Sequence, residues 1–108
     1  MKLKDRMKRI TFLIMDVDGV LTDGRMIYDN SGNEWKCFDV QDGLGIALWK
    51  KLGYKSAIIT GKQSRLVSLR AGDLGITRVF QNHTQKKKAL LKIIKEFSLK
   101  KEQICYVG

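Results

Sequence analysis

Short apolar runs that end in turns recur along the chain and predict buried strands. The first run, at 10–15, is almost unbroken and ends in an acidic turn that contains glycine. This pattern is typical of a central strand that is buried on both faces. Similar runs at 55–61, 77–81 and 104–107 predict three further strands.

Apolar residues at helical spacing lie between these runs and predict three helices. The first helix is predicted at 42–52, with Asp42 as its cap and Gly53 as its end. Its core-facing residues are expected to be Leu44, Ile46, Ala47, Leu48 and Leu52. The second is predicted from 64 to about 74. The third, at 84–97, is expected to pack through Ala89, Leu90, Ile93, Ile94 and Phe97.

A β-hairpin is predicted at 26–38, after the first strand. Two short strand-like stretches flank residues 29–33, whose Asp, Asn, Ser and Gly content favours a tight turn. The remaining strands and helices alternate, which predicts an α/β fold with a Rossmann-like parallel sheet flanked by helices. In such sheets, ligands bind beyond the carboxyl ends of the strands.

Length and charge narrow the class of protein. With 108 residues, 44% of them hydrophobic, the chain can form one core but not two, so 1–108 is predicted to be a single domain.

The formal net charge of +10 would suit binding of nucleic acid or of anionic substrates. Solvated lysines on helix and loop faces are the simpler explanation, attraction of a phosphorylated substrate ranks next, and no nucleic-acid partner is expected. The lysines expected to be solvated are Lys50, Lys51, Lys92, Lys95, Lys100 and Lys101.

Cysteine usage and hydropathy predict a cytoplasmic protein with no membrane partner. Cys37 and Cys105 lie far apart and lack the spacing of a metal site or a disulfide framework, so a reducing compartment is expected. Both are predicted to be small buried hydrophobic residues. The first apolar run is interrupted by Asp16 before it could form a signal-peptide core or a transmembrane span.

Two carboxylates stand where the first strand ends. Because side chains alternate along an extended strand, Asp16 and Asp18 are expected to project toward the same side. Their mutual repulsion beside a phosphate is unfavourable unless a cation or hydrogen-bond donors compensate for it. Mg²⁺ suits this position, since it prefers oxygen ligands and binds through one or two carboxylates plus substrate phosphate.

Residues 16–24, DVDGVLTDG, resemble the nucleophile loop of haloacid dehalogenase-type phosphatases, in the form found in 3-deoxy-D-manno-octulosonate 8-phosphate phosphatases. The resemblance implies that Asp16 attacks phosphorus and forms an aspartyl-phosphate. It implies that Asp18 acts first as general acid and then as general base. Asp16 and Asp18 are also the implied Mg²⁺ ligands, Asp18 through its backbone carbonyl.

Two later segments are similar to further motifs of the same family. Residues 58–62, IITGK, imply that the Thr60 hydroxyl and the Gly61 N–H hold the transferring phosphoryl group. Residues 81–86, QNHTQK, imply that Lys86 neutralises charge on the nucleophile and the phosphate. Lys87 and Lys88 would lie on other faces of the same helix, because neighbours are rotated by about 100°.

Other residues of these segments are assigned structural positions. Asn82 stands where relatives commonly have glycine, and Gln85 stands where they often have an acidic or small polar residue. His83 is expected to be a surface loop residue. Outside these segments, Arg65 and Arg70 are expected to lie on a helix surface, with a contribution to anion binding as the alternative.

The resemblance also implies how the chain assembles. The hairpin at 26–38 would replace a cap domain and join four subunits, each of which helps to cover a neighbour's active site.

After the fourth strand, relatives carry a pair of acidic residues that completes the magnesium site, whereas this sequence ends at Gly108. The domain is therefore expected to be incomplete at its C-terminus. These 108 residues alone are expected to have low or no activity.

The predicted function is magnesium-dependent hydrolysis of 3-deoxy-D-manno-octulosonate 8-phosphate, a step in the biosynthesis of the lipopolysaccharide sugar. Another nine-carbon sugar-acid phosphate is the alternative substrate. A catalytically inactive assembly protein on the same scaffold is the alternative of another class. A receiver-type signalling domain is disfavoured because the second strand ends in Thr60 instead of a phosphate-accepting aspartate. A nucleic-acid-binding module is motivated by net charge alone.

Overall fold

A computed structural model of the chain describes residues 2–108. Its helices and strands are, in chain order, α1 (Leu3–Lys8), β1 (Phe12–Met15), β2 (Ile27–Tyr28), β3 (Glu34–Trp35), α2 (Val40–Lys51), β4 (Lys55–Ile59), α3 (Arg65–Leu74), β5 (Arg78–Phe80), α4 (Lys86–Phe97) and β6 (Ile104–Val107). A single 3₁₀ turn, Lys101–Gln103, precedes β6.

Four strands form one parallel sheet in the order β5-β4-β1-β6. β1 lies inside the sheet, with Met15 paired to Ile58 of β4 on one side and to Val107 of β6 on the other. The four strands predicted from the apolar runs are therefore confirmed, as is the parallel α/β fold. All four strands point the same way, so their carboxyl ends lie at one edge of the sheet.

The core has two layers because β1 and β4 are covered on both faces. On one face, Met15 and Ile58 pack with Ile46 of α2 and Val67 of α3. On the other face, the core residues are Phe12, Ile14, Ala57, Ile59, Ala89 and Ile93. Strand residues that alternate in direction are thus apolar on both sides, which explains why these runs show no polar alternation.

The start of α2 differs from the prediction. The helix begins at Val40, and its N-cap is Asp39, whose Oδ1 accepts hydrogen bonds from the N–H groups of Gln41 (2.7 Å) and Asp42 (3.4 Å). The prediction that Asp42 caps the helix was wrong, because Asp42 already lies inside the first turn. A cap needs a residue with extended backbone, and Asp39 has it (φ −85°, ψ 130°).

The predicted core face of α2 was also wrong except at Ile46. Leu44, Leu48 and Leu52 are 61%, 50% and 73% exposed, and Ala47 is exposed as well. The helix turns Gly43 and Ile46 toward the core instead. Gly43 permits this close approach, since a Cβ there would collide with the guanidinium of Arg70.

The other helices follow their predictions more closely. α3 is capped by the Ser64 hydroxyl, and Gly75 ends it in the left-handed conformation (φ 68°). α4 packs on the sheet through Ala89 and Ile93, as predicted, but starts at Lys86, two residues later than the predicted 84. α1 was not predicted, and none of its residues is buried. A pattern based on burial could not detect it.

The hairpin is confirmed at the predicted place. β2 and β3 pair antiparallel through Ile27 with Trp35 and Tyr28 with Glu34. Asp29 organises the turn, because its Oδ1 accepts hydrogen bonds from the N–H groups of Ser31 and Asn33, both at 2.9 Å. Within residues 2–108, this hairpin is the insertion after β1, and those residues contain no cap domain.

Several surface predictions can be compared with the structure. The six lysines expected to be solvated are all exposed. The cysteines do not fit the prediction of buried hydrophobic residues, since Cys37 is exposed and Cys105 is half-buried, and both are unpaired. Across residues 2–108, the helices lack the combination of length and apolar character needed to cross a bilayer.

Replacing Asp39 by alanine should lower the free energy of unfolding by about 1 kcal/mol, because two N–H groups of α2 lose their acceptor. Urea unfolding followed by circular dichroism measures the loss. Asp39→Ser, which keeps a capping oxygen, should stay within a few tenths of a kcal/mol of the wild type. Equal losses in the two variants would contradict the assigned cap.

Candidate active site

The turn after β1 places two aspartates on either side of a buried anchor. The anchor is Val17, which is 1% exposed and whose carbonyl accepts hydrogen bonds from the N–H groups of Val20, Leu21 and Thr22 at 3.1, 2.9 and 3.2 Å. Asp16 still belongs to the sheet, since its N–H donates to the carbonyl of Val107 (3.0 Å). Both Asp16 and Asp18 are half-buried. Because Val17 points into the core, the carboxylates on either side of it are held at the sheet edge.

Asp16 is fixed through both of its carboxylate oxygens. Oδ1 accepts a hydrogen bond from the N–H of Val17 (2.7 Å), and Oδ2 accepts one from Nζ of Lys86 (2.6 Å). The ion pair is 22% exposed on the aspartate side and 39% exposed on the lysine side. The hydrogen bond to Asp16 raises the pKa of Lys86 above its ordinary value of 10.5.

The structure separates Lys86 from its two neighbours in sequence. Lys86 is the first residue of α4 and is half-buried, whereas Lys87 and Lys88 are exposed. α4 follows β5 in the chain, so the lysine reaches the aspartate from a segment 70 residues away. Of the three consecutive lysines, the one that the resemblance singled out is the one that meets Asp16.

Asp18 has a different cation partner, which sequence analysis missed. Its Oδ1 accepts a hydrogen bond from Nζ of Lys36 at 2.8 Å, and the same Nζ lies 2.8 Å from Oε1 of Glu34. The Lys36 side chain is only 7% exposed. Burial tends to lower the pKa of Lys36, but the hydrogen bonds and charges of Asp18 and Glu34 outweigh it, so the pKa lies above 10.5.

The signal for Lys36 was present in the sequence but was ambiguous. Glu34 and Lys36 are two residues apart at the end of the hairpin, which puts opposite charges on one face of a strand. Such a pair is normally read as a solvated surface feature. Only the docking of the hairpin against the β1 turn buries it.

Thr60 stands at the carboxyl end of β4, the neighbour of β1. It is 4% exposed, and its N–H donates to the carbonyl of Phe80 at 2.9 Å. Its Oγ1 accepts a long hydrogen bond of 3.5 Å from the N–H of Lys62, across the half-buried Gly61. Since β1 and β4 are parallel neighbours, Thr60 and Asp16 lie at the same edge of the sheet.

The segment that leads to Lys86 is tied to the Thr60 turn by two backbone hydrogen bonds. The N–H of His83 donates to the carbonyl of Thr60 (3.0 Å), and the N–H of Asn82 donates to the carbonyl of Lys62 (3.1 Å). Asn82 has φ 59°, a left-handed conformation that glycine and asparagine adopt most readily. Asparagine therefore fits this position, for which the resemblance implies glycine.

Two predictions about neighbouring side chains need correction. His83 lies in a loop as predicted but is half-buried, with its ring edge-to-face against Phe80 at 5.3 Å. Arg70 lies on α3 as predicted but is half-buried, because Nη2 donates to the carbonyl of Asp39 (3.2 Å) and the guanidinium lies 5.7 Å from the ring centre of Phe38. Arg65 is exposed, as predicted.

The acidic residues of the turn can be tested as ligands for a divalent cation. Residues 2–108 contain no cluster of three or more His, Cys, Asp or Glu side chains suited to a metal. Asp16 and Asp18 nevertheless supply hard oxygen atoms, and Mg²⁺ commonly uses one or two carboxylates and completes its shell with water and substrate phosphate. In type and number, the two aspartates therefore fit Mg²⁺ and do not fit a metal that requires an all-protein cage.

Comparison with known proteins links this arrangement to a group of phosphatases. No protein-family model matches the chain. The 3-deoxy-D-manno-octulosonate 8-phosphate phosphatase of Haemophilus influenzae is 37% identical over 106 residues, which cover 98% of this chain and 59% of the relative. The phosphatase of the same name from Escherichia coli K12 is 40% identical over 101 residues, covering 94% and 54%. The chain thus spans somewhat more than half the length of the curated relatives that it matches.

Solved structures agree with the sequence relatives. The Moraxella catarrhalis 3-deoxy-D-manno-octulosonate 8-phosphate phosphatase, crystallised with a magnesium ion, a phosphate ion and KDO, superimposes with a TM-score of 0.92 at 41% identity. The match covers 96% of this chain and 60% of that one. A Legionella pneumophila protein assigned to the HAD superfamily, subfamily III A, gives a TM-score of 0.95 at 42% identity, covering 98% and 58%.

The raised pKa of Lys86 predicts a stability contribution that is lost at alkaline pH. The Asp16–Lys86 pair should stabilise the fold fully below pH 10.5, the unfolded pKa, and should stop doing so as pH rises through the higher folded pKa. The free energy of unfolding of wild type should therefore exceed that of Lys86→Met at pH 9, and the difference should shrink by pH 11. Urea titrations at both pH values measure it.

Lys87→Met is the matched control, because Lys87 is exposed and makes no ion pair within residues 2–108. The difference in free energy of unfolding between wild type and Lys87→Met should be the same at pH 9 and pH 11. A difference for Lys86→Met that is constant or grows with pH would contradict the assigned ion pair.

Proposed function

We propose that this chain, a homologue of the octulosonate 8-phosphate phosphatases with the haloacid dehalogenase-type fold, carries the reacting residues of a magnesium-dependent phosphomonoesterase. Its substrate is 3-deoxy-D-manno-octulosonate 8-phosphate, which it hydrolyses to the sugar acid and phosphate. The observation that carries the proposal is the Asp16 carboxylate, held between the Val17 N–H and Lys86 at the carboxyl edge of the sheet. A cytoplasmic location is part of the same proposal.

The first half of the reaction uses Asp16 as nucleophile. One of its carboxylate oxygens forms a bond to phosphorus as the ester P–O bond breaks, which leaves an aspartyl-phosphate. Asp18 donates its proton to the departing sugar oxygen as general acid. Lys86 offsets the negative charge of Asp16 and the phosphoryl group, which would otherwise repel each other.

The second half hydrolyses the aspartyl-phosphate. Asp18, now a carboxylate, accepts a proton from a water that attacks phosphorus, and the bond to Asp16 breaks to release phosphate. The Thr60 hydroxyl and the Gly61 N–H donate to the phosphoryl oxygens throughout. The proposal is supported by the backbone of this turn, which is held by hydrogen bonds from the Thr60 N–H to Phe80 and from the His83 N–H to Thr60.

Magnesium, held by the Asp16 carboxylate and the Asp18 backbone carbonyl, would supply positive charge that stabilises the phosphoryl oxygens. The other steps of the reaction depend on side chains and backbone groups of the chain itself. They present the nucleophile, hold and transfer the proton, and position the phosphoryl group.

Phosphate release from 3-deoxy-D-manno-octulosonate 8-phosphate, measured with and without Mg²⁺, tests the proposal. Wild type should release phosphate only with Mg²⁺, and the H. influenzae relative serves as the positive control. Asp16→Asn should reduce release to background, because an amide is a far weaker nucleophile than a carboxylate. Asp73→Asn, which removes an exposed carboxylate of α3, should match wild type.

The alternatives give different outcomes in this assay. Release from another nine-carbon sugar-acid phosphate but not from the octulosonate would reassign the substrate. No release from any of these esters by the folded chain alone agrees with the low or absent activity expected of these 108 residues. No release by a version extended with the C-terminal segment of the H. influenzae relative, while that relative is active, would overturn the enzyme assignment. That outcome would favour the catalytically inactive assembly protein.

We further propose that the hairpin joins copies of this chain into a homotetramer. Three large apolar side chains on it face solvent, with exposures of 64% for Met26, 57% for Tyr28 and 59% for Trp35. Apolar residues gathered on a short ribbon favour burial in an interface, where aromatic residues contribute most of the binding free energy.

Analytical ultracentrifugation tests the assembly. Wild type should sediment as a species larger than a monomer, and Trp35→Glu should shift it toward the monomer, because a charge would be buried in the interface. Leu91→Glu places the same charge at a residue of α4 that is 53% exposed, and it should leave the distribution unchanged. Dissociation by both variants, or by neither, would argue against the hairpin as the contact.

A further inference from the structure

Lys36 is a buried cation that the mechanism above does not use. Its side chain is 7% exposed, and its Nζ lies 2.8 Å from both Asp18 Oδ1 and Glu34 Oε1. Burying an ammonium group is strongly unfavourable unless opposite charges and hydrogen bonds compensate for it. The two carboxylates provide this compensation, so the position of Nζ is fixed by both of them.

Asp18 depends on this contact for its orientation. It lies in the turn after β1, outside the strand, and its side chain is 34% exposed. Within residues 2–108, the side-chain hydrogen bond of Asp18 is the one from Lys36. Without that bond, the carboxylate could rotate toward solvent, whereas a general acid must stay within hydrogen-bond reach of the oxygen that it protonates.

We propose that Lys36 is a positioning residue, which holds the Asp18 carboxylate in place from the hairpin while Asp18 transfers its proton. The inference rests on the proposed function. It assigns the hairpin a second task, because the residue that orients the acid belongs to the same ribbon as the exposed aromatic side chains.

Contacts within the hairpin fix the position of Lys36 relative to Asp18. Glu34, which pairs with Tyr28 across the ribbon, anchors Nζ from the β3 side. Asp29 closes the turn of the same ribbon through its two N–H contacts, which fixes the register of β3. Lys36 follows β3 directly, so strand register determines where its side chain meets Asp18.

The nucleophile has its own partners, which makes the role of Lys36 separable. Asp16 is held by Lys86 and by the N–H of Val17, and neither contact involves the hairpin. Loss of Lys36 should therefore impair proton transfer to the leaving oxygen and leave the attack of Asp16 on phosphorus intact. A substrate whose leaving group needs no proton tells these two effects apart.

The test compares two esters in wild type and Lys36→Met, with Mg²⁺ present. For 3-deoxy-D-manno-octulosonate 8-phosphate, kcat should fall ~10- to 100-fold, because general acid catalysis of an alkoxide departure typically contributes at least this much. KM should change little. For p-nitrophenyl phosphate, nitrophenolate leaves without a proton, so the single-turnover release of nitrophenol should change by less than about 3-fold on the same grounds.

Two further variants complete the comparison. Lys36→Arg keeps the charge and should recover part of the lost kcat, while Lys87→Met, at an exposed lysine, should match wild type for both esters. Equal losses for the two esters in Lys36→Met would identify Lys36 as a structural residue and overturn the inference. That outcome leaves the proposed function standing, whereas release of phosphate from neither ester, by wild type or by the version extended with the C-terminal segment of the relative, would overturn both.

A second measurement does not depend on activity. The urea midpoints of Lys36→Met, Asp18→Asn and the double variant form a double-mutant cycle. If the contact exists in solution, the free energy of unfolding should fall clearly less in the double variant than the sum of its decreases in the two single variants. Additive losses would show that Lys36 and Asp18 do not interact, and the proposed role of Lys36 would fail.

Discussion

The burial of β1 on both faces is the constraint on which the rest of the structure depends. Phe12 and Ile14 are at most 1% exposed on one face, and Met15 is 4% exposed on the other. A strand that is covered on both faces and paired on both edges has no freedom to shift its register without exposing these residues. The positions of Asp16 and Asp18, which follow this strand, are therefore fixed as well.

Two aspartates so close in sequence would repel each other, and the fold compensates with separate cations. Lys86 reaches Asp16 from the start of α4, and Lys36 reaches Asp18 from the hairpin. Each lysine has a raised pKa because it lies against a carboxylate, so both remain charged throughout the neutral range. The two ion pairs differ in where the lysine lies. Lys86 belongs to a helix that covers the parallel sheet, and Lys36 belongs to the inserted hairpin.

The loops at the sheet edge hold each other in place. The Thr60 turn accepts a hydrogen bond from His83, and the Lys62 carbonyl accepts one from Asn82, whose left-handed backbone turns the chain toward α4. After this connection, α4 begins at Lys86 instead of Thr84. The phosphoryl-binding residues proposed after β4 and the lysine proposed on α4 are therefore joined through hydrogen-bonded backbone segments.

The sequence by itself determined the order and type of the main strands and helices, because apolar runs and helical spacing report directly on burial. It also identified Asp16, Asp18, Thr60 and Lys86 through their motifs, and the chemistry assigned to them stays a proposal. Only the tertiary structure decided the N-cap of α2, the exposure of its leucines and the burial of Lys36. These features depend on how α2 and the hairpin dock against other parts of the chain, and the local pattern of hydrophobic and polar residues carries no information about such docking.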